Sequence, residues 1–155
     1  MKFKIPRTWI VSLFAVILTV SMVAPAHADD QRCSLARSTG KWSFTDQGTV
    51  IGIGPRTAVG VFQLDGAGNL QNALATSSLN GSIADETFSG TYTVNPDCTG
   101  TISVDIFVAG TETLAVKGNI AFDDDMKHMR GIFTSLATPN GTQLSTVINL
   151  DARKQ

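Results

Sequence analysis

From about residue 40 onward, apolar side chains return at every second position. In Thr101-Ile102-Ser103-Val104-Asp105-Ile106 the alternation is strict, and Thr91-Tyr92-Thr93-Val94 repeats it. Leu114, Val116, Gly118, Ile120 and Phe122 fall on one face, opposite Lys117 and Asn119. Leu144, Thr146, Ile148 and Leu150 do the same opposite Gln143, Ser145 and Asn149. A period of two with one dry and one wet side is the signature of an antiparallel strand. After Asp29 no segment holds apolar residues at helical spacing over three turns.

Turn-forming residues divide these runs at short intervals. Asp65-Gly66-Ala67-Gly68-Asn69, Asn80-Gly81, Asn95–Gly100, Ala109-Gly110-Thr111, Asp123-Asp124-Asp125 and Pro139-Asn140-Gly141 are the dividers. Asn80-Gly81 is the dipeptide that accepts two positive φ angles in a type I′ hairpin. The pattern predicts eight strands, near 41–51, 57–64, 69–78, 84–94, 101–108, 112–122, 128–137 and 142–150. Short links favour neighbour-to-neighbour pairing, so the chain reads as all-β. The expected form is a small antiparallel up-and-down barrel, which leaves no free sheet edge. A two-sheet β-sandwich is the alternative.

The N-terminus changes the picture by adding an address. Lys2, Lys4 and Arg7 precede an uncharged, mostly apolar stretch from Trp9 to Ala24, and Pro25-Ala26-His27-Ala28 supplies an A-x-A cleavage site. Residues 1–28 therefore read as a signal peptide and 29–155 as a single domain, secreted or periplasmic. No further run is long enough for a membrane span after cleavage. An outer-membrane barrel would need aromatic girdles and a lipid-facing apolar band, which this sequence does not supply.

Three of the 12 basic residues lie in the signal segment while all 13 acidic residues lie beyond it, so the exported part is mildly acidic. Without a Lys/Arg cluster there is no electrostatic footprint for nucleic acid. The two cysteines, Cys33 and Cys98, predict one disulfide in an exported chain. The sequence leaves the oligomeric state open.

Candidate chemistry is sparse. Beyond the signal segment His128 is the sole histidine, no Gly-x-Ser-x-Gly elbow is present, and a two-histidine metal motif cannot be built. Asp123-Asp124-Asp125 lacks the ligand spacing of a calcium loop and reads as a solvated turn, with His128 solvated beside it. Asp85-Glu86 and Asp105 offer carboxylates without a pattern that makes them converge. No catalytic residue, metal ligand or cofactor is predicted.

Gly40-Lys41-Trp42 opens the first strand just after the segment carrying Cys33. This Gly-x-Trp resembles the lipocalin (calycin) signature, which implies a tryptophan closing one barrel end and an arginine packed across it. Arg130 and Arg153 are the candidates for that arginine. Glu112–Gly118 followed by Arg130-Gly131-Ile132-Phe133 is similar to the later strands of allene-oxide-cyclase-type barrels, another eight-stranded antiparallel fold. The first resemblance implies an interior site for a small hydrophobic ligand, with Arg130 among its candidate residues; from the alternation, Trp42, Phe44, Phe88, Tyr92, Phe122 and Phe133 would line the core or the cavity. The expected role is thus non-catalytic binding. A structural or surface-interaction module with a filled core, and a cofactor-free cyclase or isomerase, are the alternatives. A cavity of about 300 Å³ or more separates binder from module, and convergent carboxylates inside it would favour the enzyme.

Overall fold

The dry faces meet around one axis. The computed structural model describes residues 32–155, so the expected signal peptide, residues 1–28, lies outside the described residues. Its eight strands are β1 (Gly40–Val50), β2 (Gly54–Leu64), β3 (Asn69–Leu79), β4 (Ser82–Tyr92), β5 (Thr99–Val108), β6 (Thr111–Phe122), β7 (His128–Ala137) and β8 (Thr146–Lys154). Each pairs antiparallel with the next, and β8 returns to β1 with Trp42 opposite Lys154, closing an up-and-down barrel. The sandwich alternative is excluded, because closure leaves no second sheet. Inward positions carry Trp42, Phe44, Phe62, Leu70, Ile102, Val104, Ile106, Val116, Ile120 and Ile148, all buried. The outer wall carries mostly Ser, Thr, Asn, Gln and charged residues, with Val59, Val61, Leu74, Ile132 and Val147 exposed among them. That polarity is the reverse of a lipid-facing barrel. No helix among the described residues is long and apolar enough to cross a membrane.

Tight closure needs places where strands bend and approach. A Cβ added to Gly60, opposite Phe44, would lie 2.2 Å from the Leu74 carbonyl oxygen, so glycine is required where β2 presses on β3. Bulges at Val61/Gln63, Leu70/Ala73, Ile106/Phe107 and Lys117/Gly118 shift the ladders and add curvature. At the β3–β4 turn Asn80 and Gly81 have φ of 50° and 86°, as the type I′ expectation required. Ala109 and Gly110 repeat that geometry at φ 50° and 79°, with alanine in a region it adopts at a cost.

β8 departs from its expected bounds of 142–150. Residues 138–145 form a connection stitched by Leu144 N–H to the Leu136 carbonyl and Ile51 N–H to the Ser145 carbonyl. The strand then runs on through Asp151, Ala152 and Arg153, beyond its expected end at Leu150. Asp151 and Arg153 point outward and Ala152 inward, so the same period of two continues. The β7–β8 ladder covers only His128–Ile132 against Asn149–Arg153, so the upper half of β7, including Phe133, parts from β8.

One end is closed. Helix α1 (Leu35–Ser38), capped by the Ser34 hydroxyl, lies at the start of β1. The Ser38 carbonyl accepts from Trp42 Nε1 at 2.9 Å, and the Ser38 hydroxyl lies 2.9 Å from the Tyr92 hydroxyl. The Cys33–Cys98 disulfide, with Cα atoms 5.0 Å apart, ties this segment to the β4–β5 turn. The floor is thus held by covalent, polar and aromatic contacts together.

Candidate functional site

Period two, followed along β1 from the floor, gives Trp42, then Phe44, then Asp46. All three point inward, so the apolar row ends on a carboxylate inside the barrel. Arg56, on the inner face of β2, lies beside it, and β3 and β4 contribute Ser77 and Glu86. Asp46, Arg56 and Glu86 are only 3%, 4% and 6% exposed. Arg56 grips Glu86 with both arms of its fork, Nη1 to Oε1 at 3.0 Å and Nη2 to Oε2 at 2.9 Å. Ser77 donates its hydroxyl to Glu86 Oε1 at 2.7 Å. The acceptors of Glu86 are thus well occupied.

Asp46 is served less well. Its Oδ2 accepts from Arg56 Nη2 at 3.4 Å, an arm already committed to Glu86, and its Oδ1 has no partner among the described residues. Arg56 Nε is the second buried atom left without one. An unpaired buried polar atom typically costs about 1–3 kcal/mol, so two in one cluster call for a physical account. Burial is the main force raising the Asp46 carboxyl above its ordinary range and the Glu86 charge adds to it; Arg56 and, last, the Ala58 backbone N–H oppose it. Burial works to lower the Arg56 guanidinium, but its bond to Glu86 and the two neighbouring carboxylates outweigh that and hold it above its usual value. One guanidinium therefore faces two carboxyl groups in a low-dielectric interior.

Between this cluster and the floor lies a cavity of about 40 Å³. Phe44, Phe62, Phe88, Phe133, Leu70, Ile102, Val104, Ile106, Val116 and Leu150 line it together with Asp46, Arg56 and Glu86. At about 10–15 Å³ per water, it has room for roughly three small groups. Depressions of 380–440 Å³ also exist, but they are open grooves on the outer wall over Asn72, Leu74, Val61 and their neighbours, outside the barrel.

Of the residues singled out from sequence, Phe44, Phe88 and Phe133 line the cavity. Phe88 stands edge-on to Phe44 at 5.5 Å and to Phe62 at 6.4 Å. Trp42 and Phe122 belong to the floor: Trp42 stacks on Phe62 at 6.4 Å and meets Phe122 edge-on at 5.9 Å. Tyr92 also serves the floor, its hydroxyl donating to the Asp65 carbonyl at 2.5 Å. Arg130 requires correction, because its side chain is 64% exposed and pairs with Asp123 at 3.0 Å. It sits at an outward position of β7, where it can reach neither the cavity nor Trp42, and Arg153 is likewise exposed on β8. His128 is less solvated than expected, its ring held between Asp123 Oδ2 at 3.2 Å and Asp151 Oδ2 at 2.7 Å. Asp85 faces outward and bonds Thr76, and Asp105 is exposed on the outer wall, so neither joins Glu86.

Asp46, Arg56 and Ser77 were not read from sequence as site residues. The signal was present: Asp46 lies two positions beyond Phe44, Glu86 two before Phe88 and Arg56 two before Ala58. Each therefore continues a dry face with a polar residue.

No family model matches the chain, and no curated protein matches it in sequence. Solved structures match its shape. EF1p2_mFAP2b bound to DFHBI aligns at 15% identity over 81% of this chain and 99% of that one, with a TM-score of 0.54. The redesigned β-barrel mFAP1 bound to DFHBI aligns at 17% over 79% and 98%, with a TM-score of 0.51. The S-type phycobiliprotein lyase CPES from Guillardia theta follows at 10% over 84% and 98%, but its TM-score of 0.48 is too low to carry weight. This is a barrel by shape. Sequence likeness at this level establishes the fold alone.

Proposed function

We propose that the protein is an exported, non-catalytic barrel that binds a small, largely apolar molecule in its interior. The observation that carries this reading is the meeting of a phenylalanine-walled cavity with a buried ion cluster that keeps two polar atoms unpartnered. A barrel serving only as scaffold gains nothing from such a cluster, since a buried ion pair is often no better than a well-packed apolar replacement. Binding sites have the opposite composition, mostly apolar walls with a small number of placed polar groups. The DFHBI-bound barrels of the same overall shape are in keeping with it. A lipocalin-like plan is part of the proposal, with Trp42 as the closed end, though neither Arg130 nor Arg153 crosses it. The Cys33–Cys98 bond is compatible with a periplasmic or extracellular location.

The cavity of about 40 Å³ is well below the ~300 Å³ of an ordinary ligand site. Entry therefore requires side chains to move. Phe88 and Phe133, both half-buried, are the rings to do so, and Phe133 lies where β7 has left β8. That same small volume favours a second reading, a structural module filled by its own side chains. The third reading, a cofactor-free isomerase, draws on the convergence of Asp46 and Glu86; turnover of a bound compound would distinguish it.

Titration with uncharged apolar molecules, followed by Trp42 emission and calorimetry, tests the proposal. Trp42 stacks on the cavity-lining Phe62, so saturable binding should perturb its emission. A panel of small aromatics and terpenoids that gives no heat and no spectral change would leave the filled module as the function.

A further inference from the structure

Resting on the binding reading, the chemistry of the inner cluster selects the polar end of the ligand. Two atoms there lack partners, and they are of opposite kinds: Asp46 Oδ1 is an acceptor and Arg56 Nε–H a donor. A group that both donates and accepts matches both. A carboxylate can only accept, and an ammonium can only donate.

Charge balance points the same way. Arg56 gives the end-on face of its fork to Glu86 and shares Nη2 with Asp46, so its remaining edge offers an incoming carboxylate one unshared nitrogen, Nε, and not a free pair. An anion entering beside Asp46 and Glu86 would add a third acidic group against a single guanidinium in a site of low dielectric. An ammonium would offset an ionised Asp46 but would leave Arg56 Nε unanswered and be repelled by the guanidinium beside it. The rest of the cavity wall is aromatic and aliphatic, which fits an uncharged carbon skeleton.

We propose that the interior site takes a neutral hydroxyl-bearing apolar molecule, an alcohol or phenol, with its hydroxyl donating to Asp46 and accepting from Arg56. The site discriminates against carboxylates such as fatty acids.

The test uses four probes that share one skeleton: toluene, benzyl alcohol, benzylamine and benzoate, titrated by calorimetry against the disulfide-intact protein. Benzyl alcohol should bind about tenfold more tightly than toluene, the equivalent of about 1.4 kcal/mol, and benzoate should bind weakest. In Asp46→Leu, which leaves the Arg56–Glu86 pair balanced, the preference for the alcohol should fall about tenfold while toluene affinity is retained. Benzylamine or benzoate as the tightest probe would overturn the assignment. Equal affinity for toluene and benzyl alcohol would overturn it too, but would leave the binding function standing. If none of the four binds, the interior admits no ligand, and both the binding function and this assignment fall. Should Asp46→Leu not fold, the affinity order of the four probes in the wild-type protein decides by itself.

Discussion

Removing the guanidinium from the barrel interior is the most direct probe of the inner cluster. In Arg56→Met the side-chain volume is nearly kept, so the change is mainly the loss of charge and of the fork that holds Glu86 at 2.9 and 3.0 Å. Asp46 and Glu86, 3% and 6% exposed, would then face each other with no cation. Breaking a buried pair in this way costs about 3–5 kcal/mol, because the surviving charge keeps its desolvation penalty. For a domain of this size each kcal/mol moves the melting temperature by roughly 3–4 °C, so the midpoint should drop by roughly 10–20 °C. The triple variant Asp46→Leu/Arg56→Met/Glu86→Leu removes the stranded charges along with their partner. It should recover most of that loss, short of the bond Ser77 makes to Glu86. Melting by circular dichroism, with reversibility checked, measures both. The single variant should also lose less at low pH, where protonation relieves the stranded carboxylates. Arg56→Met melting within about 2 °C of wild type at neutral pH would refute the cluster's energetic role.

Three further outcomes are expected. Asp46 is raised by burial, so the native state holds its proton more tightly than the unfolded chain does, and its stabilising contribution is complete below an unfolded pKa of about 3.9 and lost as pH rises through the raised value. The melting temperature of Asp46→Asn relative to wild type should therefore increase as pH goes from about 4 toward neutral. Asp65 and Asp97, lowered by their bonds to Asn69 and Thr99, act in the opposite direction but equally in both proteins; a pH-independent difference would disprove the Asp46 assignment. Thiol titration of unreduced, denatured protein should find no free thiol, and reduction should cost up to about 4 kcal/mol, since the bridge spans 65 residues. At the β5–β6 turn Ala109→Asn should stabilise by about 0.5–1 kcal/mol, because asparagine tolerates the positive φ better. Gly81→Val should destabilise at the matching turn, where φ is 86°, and unchanged midpoints for both would mean the turns do not hold this geometry.

The strands and their order were legible in the sequence because each depends on local physics. Alternation shows which side of a strand is dry, and Asn80-Gly81 or Asp65–Asn69 shows where a strand ends. The disulfide was legible from an even cysteine count read together with an expected export signal. β8 was misplaced by four residues because Asp151 and Arg153 resemble a solvated tail, and only pairing with β1 shows that they are outward positions of a strand. Arg130 was misassigned for a related reason: a resemblance suggested an inward arginine, while the register turned position 130 outward to Asp123.

The inner cluster depended on tertiary structure most of all. Asp46, Arg56, Ser77 and Glu86 come from four strands, and nothing within one strand indicates that their side chains converge. Period two alone gives each its face. Barrel closure and the stagger of the ladders determine which inward positions share a level, because that level depends on how far each strand has slid past its neighbours. Hydrophobic pattern is a property of a strand and is therefore written along the chain. The pairing of one buried guanidinium with two carboxyls is a property of strand register, which exists only once the barrel has closed.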